Sequence, residues 1–292
     1  MKPNRIVQEG CVTRVWFDEC ISGQKFNFLL SSDRHHDAVG CNRELEKKHL
    51  DEAKEMDALI IDVGDIFDAM QGKFDKRSSY EDLREEYRVQ HYYDAISDDA
   101  VDFYTPYAAN FLMIGRGNHE TSVLDKTNID LTSRLVYGLR RVEGGADIQT
   151  GFYGGWIIFN FAAGNGGRCS FKYRYHHGGG GSAPVTKGVI NTARQAVYLP
   201  DADLVHNGHN HQGYVVPIKR ERISAQGVIY SDVCWFARTP GYKYEFENGN
   251  GWAVEKMLSP NPIGAIWMTL TYEFSKKPKR ARVRCKLTQD TE

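Results

Sequence analysis

Residues 111–120 read FLMIGRGNHE, an apolar run followed by a glycine-broken turn that carries an amide, an imidazole and a carboxylate. Four apolar residues in a row suit a strand covered on both faces, and Gly115 and Gly117 permit a tight turn that lifts Asn118 and His119 above the sheet edge. Loops at the carboxyl ends of strands are where open α/β sheets bind ligands.

The same pattern recurs on either side. Residues 25–32, KFNFLLSS, read as a first buried strand ending in DRHHD, where Asp33 and His35 project the same way and suit two ligands on one cation. Residues 58–63, ALIIDV, are a second buried strand followed by GDIFD. Gly64 lets the backbone turn closely enough for Asp65 to reach the point Asp33 faces; an aspartate in that place also serves as a helix N-cap. CSFKYRYHH, 169–177, alternates Phe171, Tyr173 and Tyr175 against Ser170, Lys172 and Arg174, a half-buried strand ending in His176 and His177. GGGGSAPVTKG reads as a close-approach loop whose amides can meet an anion, because a helix, INTARQAVYL, follows without a change of composition. A short strand over 203–205 then delivers HNGHNH, with His209 and His211 beyond a glycine.

Between these stretches, 43–57 reads as a helix with Leu45, Leu50, Ala53 and Met56 on one face and a solvated charged remainder. A polar loop over 70–80 leads to helices at 80–96 and 98–108, and a helical segment after Glu120 carries Leu124, Ile129, Leu131, Leu135, Val136 and Leu139. DIQTGFYGGWIIFNFAA, 147–163, reads as a hairpin around its GG turn, and four C-terminal stretches from GYVVPIKRERI to KRARVRCKL as antiparallel strands. Arg280, Arg282 and Arg284 form a basic stripe on the last of them. Lys73, Lys76, Arg77, Arg84 and Arg88 form a basic rim or plain solvent decoration.

The 292 residues carry 37 Lys and Arg against 38 Asp and Glu, so no global field draws the chain toward nucleic acid or membrane. No stretch approaches the roughly 18 apolar residues of a membrane span, and the N-terminus lacks the apolar core of a signal peptide. The expectation is a soluble cytoplasmic protein with no membrane partner. Six dispersed cysteines without a CxxC are read as reduced thiols. Histidine is the informative count, because eight of the ten (His35, His36, His119, His176, His177, His206, His209, His211) sit in four short clusters at the ends of apolar runs. Neutral imidazole is the commonest metal-binding side chain.

Collected, the strand-end loops offer Asp33, His35, Asp65, Asn118, His119, His176 or His177, His209 and His211. These are too many donors for one tetrahedral site and about right for two divalent cations roughly 3.5–4 Å apart. Such a pair lowers the pKa of a bridging water and clamps a phosphoryl group for in-line displacement, which implies phosphoester hydrolysis. Asn118 and His119 would meet the equatorial oxygens, and His119 is placed to protonate the departing one.

The ordered set DRH, GDIFD, GNHE, HHG and GHNH resembles the calcineurin-like metallophosphoesterase superfamily, whose pattern is DxH, GDxxD, GNHD or GNHE, a lone His and GHxH; here it spans residues 33–211. The resemblance implies an α/β fold, a four-layer sandwich of two mixed β-sheets face to face, flanked by helices. It implies that Asp33, His35 and His211 hold a first metal, that Asp65 bridges, and that Asn118, His209 and the lone His hold a second. His177 is favoured over His176 because a His directly before a glycine loop recurs in phage-encoded relatives. His119 would contact substrate, with Asn118, rather than a metal. The implied cofactors are two divalent ions drawn from Mn, Fe, Zn, Ni or Co.

Longer phrases such as GGGGSAPVTKGVINTARQAVYLPDADLV resemble phage and prophage metallophosphatases, and GDIFD with GNHE resembles repair nucleases of the superfamily. One departure is Asp37, where many members place Gly two residues after the His of DxH, which alters the loop over the first metal. The expected function is hydrolysis by in-line attack of a metal-bridging hydroxide, of phosphodiesterase or nuclease type, with DNA or RNA among the candidate substrates. A phosphomonoesterase acting on nucleotides or phosphoproteins is the alternative, and a non-catalytic binding module the third reading. One domain over 1–292 is expected, with a helical insertion at about 70–108 and an antiparallel C-terminal half at about 212–288.

Overall fold

Short apolar runs form the spine of one sheet. β3 (Lys25–Ser31), β4 (Leu59–Asp62) and β5 (Phe111–Ile114) lie parallel, and β6 (Gln149–Thr150) extends them at one edge. β12 (Gly264–Lys276) and β13 (Lys279–Thr291) continue the other side antiparallel, giving the order β13-β12-β3-β4-β5-β6. The computed structural model describes residues 2–71, 82–164, 166–180, 186, 188–246, 254, 257, 260–277 and 279–292.

Successive strand residues face opposite layers, so a continuous apolar run is buried twice. Leu29, Ile60 and Ile114 meet α1 (Arg43–Glu55), α2 (Tyr92–Tyr104) and α4 (Leu131–Arg140) through Leu50, Ala53, Ile96, Ala100 and Leu135. Phe28, Leu30, Ile61 and Leu112 face the other way, onto a second sheet.

That sheet runs β1-β2-β7-β8-β9-β11-β10, built from β1 (Arg5–Glu9), β2 (Val12–Phe17), β7 (Gly154–Ala162), β8 (Arg168–His176), β9 (Leu204–Asn207), β10 (Tyr214–Ile223) and β11 (Ile229–Arg238). Phe159 and Phe161 meet Phe28 and Phe26 across the interface, with ring centroids 4.9 and 5.0 Å apart. Each ring buried this way contributes on the order of 2–3 kcal/mol. α5 (Val189–Tyr198) covers the far face over Ala202, Val205 and Phe236. Helices, sheet, sheet and helix make the expected four-layer α/β sandwich.

Several expected elements differ. The N-terminus is already a hairpin, β1 with β2, so residues 25–32 are the third strand rather than the first. The GG of 154–155 is no hairpin turn, because β6 pairs with β5 in one sheet while β7 pairs with β2 and β8 in the other. Close packing explains those glycines: a Cβ on Gly155 would lie 2.4 Å from the Cys11 carbonyl oxygen and 2.5 Å from the Tyr175 hydroxyl. In place of helices at 80–96 and 98–108, the described residues hold a single turn at Glu85–Tyr87, one helix, α2, that runs through Ser97, and a 3₁₀ helix at Thr105–Asn110. The Ser97 hydroxyl donates back to the Tyr93 carbonyl at 2.7 Å, so the polar residue does not interrupt the helix. The segment after Glu120 divides into α3 (Asn118–Thr127) and α4 at Asn128, whose φ of 58° ends the first helix.

The charged remainder of α1 is only partly solvated. Glu46 and His49 are buried, and Glu46 lies in a closed network. Arg34 Nη1 stands 2.8 Å from Glu46 Oε1, Arg34 Nε 2.7 Å from Asp62 Oδ2, and His36 Nδ1 3.0 Å from Glu46 Oε2; the Tyr104 hydroxyl also donates to Glu46. Burial opposes the charge, but His36 and Arg34 outweigh it and hold Glu46 down at about 2. A carboxylate with a depressed pKa stabilises the fold fully above its unfolded value near 4.5 and loses that contribution as pH falls toward 2. The contribution is about 3 kcal/mol. Glu46→Gln is therefore expected to lower the melting temperature at pH 7 and to flatten the acid limb between pH 4.5 and 2, measured by circular dichroism. An unchanged acid limb would show that Glu46 is not the titrating group.

Candidate metal centre

The pairing register brings the polar loops to one level. Ser31, Asp62 and Ile114 end three adjacent parallel strands, and the residues beyond them, Asp33, Asp65 and Asn118, leave the sheet side by side. In the second sheet His176 registers with Asn207, and the Gly208 amide donates to the His177 carbonyl at 2.7 Å. The packed sheets then close these ends on one another.

Two donor groups result. Asp33, His35 and His211 place one ligand atom each within 4.8 Å of one another, and so do Asp65, His177 and His209. His177 Nε2 lies 3.1 Å from Asp65 Oδ2, 3.1 Å from Asn118 Oδ1 and 3.9 Å from Asp33 Oδ1. His209 Nδ1 lies 2.6 Å from Asn118 Oδ1. His35 Nε2 and His211 Nε2 face each other at 3.2 Å, an approach of two lone-pair atoms that needs a proton or a cation between them. Carboxylates, an amide oxygen and imidazole nitrogens converging in this way fit two divalent cations.

Backbone conformation is unusual at several of the same residues, as it is at Glu19, Asp57, Ala69, Asn128 and Met257 elsewhere. Asp33, His35, Asp65, His209 and His211 have φ of 50°, 45°, 56°, 76° and 50°, in the left-handed region that costs about 1 kcal/mol or more for such side chains. Five converging donors share this strain, which fits a site whose side chains are held in place by the surrounding fold. Gly117 is required by contact, since a Cβ there would lie 2.0 Å from Asp65 Oδ1.

Charge is arranged around this pocket. Burial opposes ionisation of Asp33 and Asp65, yet the facing imidazoles hold both below the usual carboxylate range. The same carboxylates, against the pull of burial, raise His177 to about 9 and, with Glu245, His211 to about 10. His119 stands at the rim: its Nδ1 bonds the Asp68 carbonyl, its backbone amide donates to Asp65 Oδ1 at 2.9 Å, and its Nε2 is 3.8 Å from Asp65 Oδ2.

Other histidines of the clusters lie outside the two groups. His176 turns its edge to Tyr153 and accepts from the Gly178 amide at 3.0 Å. His206 lies between Tyr173 and Thr239, at 2.6 and 3.1 Å, and Thr239 meets Ser32, which donates to Asp33. His35, Asp65 and His119 form a third group that adjoins these two, and His36, Cys41 and Glu46 a fourth, in which Glu46 is already paired with Arg34 and His36.

Several supporting residues were not assigned roles from sequence. Glu120 accepts from the amides of Asp65, Phe67 and Gly117 at 3.0, 3.0 and 2.8 Å and so ties the GDIFD loop to the GNHE loop; burial and Asp65 push it up to about 7. Asp37 accepts from the amides of Asp68 and Ala69 at 2.6 and 3.0 Å and from Tyr92, which gives its departure from the resembled pattern a structural use. Asp68 stands 2.9 Å from His35 Nδ1 and 2.7 Å from Lys243 Nζ, and Glu245 3.2 Å from His211 Nδ1. Asp68 was legible as the last residue of GDIFD; Glu245 and Lys243 carry no local signal.

The basic features lie elsewhere. Arg282 and Arg284 both pair with Glu273, at 2.7 and 3.1 Å. Arg284 registers with Thr271 and Thr271 with Lys25, eight residues before Asp33, so the stripe sits about 25 Å from the centre. Arg84 braces the carbonyls of Ala38 and Cys41, both at 3.0 Å; Lys73, Lys76 and Arg77 lie outside the described residues. A cleft of about 400 Å³ opens beside His211, lined by Lys243, Tyr244, Glu245, Phe246 and Asn261. All six cysteines are free, and among the described residues no helix is long and apolar enough to cross a membrane.

No family model matches the chain, and no curated protein does. Solved structures with a similar course include Vps29 of Entamoeba histolytica complexed with zinc, at 11% identity over 90% of this chain and 99% of that one, TM-score 0.37. Others are GAP50, the anchor in the inner membrane complex of Plasmodium, at 13% identity over 91% and 89%, TM-score 0.41, and a predicted phosphoesterase of Streptococcus pneumoniae, at 9% identity over 90% and 99%, TM-score 0.32. Similarities this distant leave the chain's function to its own side chains.

Proposed function

We propose that this chain is a metal-dependent phosphoesterase that holds one divalent cation with Asp33, His35 and His211 and a second with Asn118, His177 and His209, Asp65 serving both. The observation that carries the reading is the convergence of these donors, five of them in left-handed backbone. When bound, the two cations would supply Lewis acidity to a phosphoryl group and acidify a water between them.

The chain's own groups do the rest. Asp33 and Asp65, held ionised, supply the negative charge a cation pair needs. His119 bonds the Asp68 carbonyl through Nδ1 and turns Nε2 toward Asp65, 3.8 Å away, from where it would pass a proton to the departing oxygen. The mixed charges of the neighbouring cleft, and the distance of the basic stripe, support a small phosphoester rather than a nucleic-acid strand. A diester is favoured over a monoester only by the resemblance.

Bis(p-nitrophenyl) phosphate and p-nitrophenyl phosphate, offered with each of Mn, Fe, Zn, Ni and Co, separate diesterase from monoesterase. Failure to hydrolyse either ester with any of them rejects the reading. His119→Asn is expected to keep the metal content and lose about 10²–10⁴-fold in rate. The loss should be larger on an alkyl ester than on the p-nitrophenyl ester, whose leaving group needs little help from an acid. Equal losses on both would remove the acid role.

A further inference from the structure

A file of buried polar groups crosses from the second sheet to the first and ends on Asp33. The Tyr173 hydroxyl of β8 lies 2.6 Å from His206 Nδ1 of β9, His206 Nε2 lies 3.1 Å from Thr239 Oγ1, and Thr239 Oγ1 lies 2.5 Å from Ser32 Oγ. The Ser32 hydroxyl donates to Asp33 Oδ2. All five residues are closed to solvent.

The protons of this file can be assigned one by one. An ionised Asp33 only accepts, so Ser32 uses its proton there. The contact between the two hydroxyls then needs the proton of Thr239, whose other acceptor, the Asn207 carbonyl, is farther away at 3.3 Å. Thr239 is left to accept from His206 Nε2, and Nδ1 of the neutral imidazole accepts from Tyr173. Burial keeps His206 neutral, drawing it down to about 3. Every bond therefore points at the carboxylate, and each polarises the next. Tyr173 is packed edge-on against Phe159 in the core, so the file has no wet end and carries no proton in or out.

The effect falls on one oxygen of Asp33. The His209 amide sits astride both, at 2.9 and 3.0 Å, but only Oδ2 takes the Ser32 bond. A Cβ on Gly208 would lie 2.5 Å from Oδ2, so the GHNH loop closes over that side. Oδ1 is turned to the donor groups, 3.5 Å from His211 Nε2 and 3.9 Å from His177 Nε2.

We propose that Tyr173, His206, Thr239 and Ser32 are positioning residues that hold Asp33 as a one-oxygen ligand, with Oδ2 tied back and Oδ1 presented to the first cation. This role rests on the two-cation reading of the centre, but not on the reaction the centre performs. Hydrogen bonds behind a metal ligand fix its orientation and are worth about 10–100-fold in metal affinity.

The test is calorimetric titration of the metal-free chain with Mn and with Co, for the unaltered protein, Ser32→Ala, Thr239→Val, Thr239→Ser and His206→Phe. Ser32→Ala and Thr239→Val are expected to weaken one cation, the one that His35→Ala abolishes, by about 10–100-fold and to leave the other unchanged. His206→Phe, one bond further out, should show a smaller loss at the same site, and Thr239→Ser, which keeps the hydroxyl, should show none. The visible spectrum of the cobalt-loaded chain reports ligand geometry at the ion; it should shift in Ser32→Ala and Thr239→Val and return in Thr239→Ser. Ser32→Ala orphans no hydroxyl, since Thr239 can turn to the Asn207 carbonyl, so it carries the test even where Thr239→Val fails to fold. Both affinities unchanged in Ser32→Ala overturns the role, as does a melting temperature lowered in EDTA with the cobalt spectrum and affinities intact. An unaltered chain that takes up no cation overturns it together with the metal centre. A chain that takes up two cations, shows the loss at one site and hydrolyses no ester refutes the hydrolytic reading and upholds the role.

Discussion

Asp65→Asn is expected to lower turnover by at least about 10³-fold and to reduce bound metal from two equivalents to about one. Asp65 faces both donor groups: its carboxylate is 3.1 Å from His177 Nε2 and 3.8 Å from His119 Nε2, and it clusters with His35 and His119 as well as with His177 and His209. Asparagine keeps the shape and an oxygen to accept from the His119 amide, but it removes the charge both cations would share. The metal-free fold loses the pairing of this carboxylate with His177, which holds Asp65 below the usual carboxylate range against the pull of burial. Asparagine tolerates the φ of 56° better than most residues, and without Asp65 beside it Glu120 loses one of the causes that raise it to about 7. Neither offsets the loss of the pairing with His177, so in chelator the variant should melt below the unaltered chain. Elemental analysis with melting in EDTA checks both halves, and a variant that keeps two metals and full rate would sink the shared-ligand role.

The parts of this centre that were legible in sequence share a local cause. Each donor follows an apolar run and sits beside a glycine or a second polar donor, so DRH, GDIFD, GNHE, HHG and GHNH can be read without knowing what lies across the sheet. The illegible parts depend on tertiary contact. Lys243 and Glu245 are single residues in ordinary surroundings until the loop after β11 carries them to Asp68 and His211. Glu46 and His49 look solvated because amphipathicity assigns charges to the outer face, and only their tertiary partners, Arg34 for Glu46 and Tyr242 for His49, explain why they turn inward. The GG of 154–155 misleads for a related reason: glycine marks close approach as readily as it marks a turn, and sequence alone does not say whether the next strand returns to the same sheet. The left-handed φ at Asp33, His35 and His211 runs against local preference, so no propensity scale points to it.

That strain bears on the second large effect. Stripping the metals is expected to lower the melting temperature on the order of 15 °C. A free ion a thousandfold above its Kd contributes about 4 kcal/mol per site, and about 8 kcal/mol moves the midpoint by this amount in a chain of this size. Without cations, the protein must hold Asp33 and Asp65 as neighbouring charges, and it does so by keeping protons on His177 and His211, raised to about 9 and 10. Metal entry at pH 7 must displace those protons, so uptake should release about two per chain. The sign follows: apparent metal affinity climbs as pH rises and levels off only above about 10, where both imidazoles are already neutral. Calorimetry in buffers of different ionisation enthalpy counts the protons, and melting with and without EDTA measures the stabilisation. A melting temperature indifferent to EDTA in protein shown to carry two metals, or metal uptake without proton release, would mean that these imidazoles are held by their carboxylates for structure and do not await a cation.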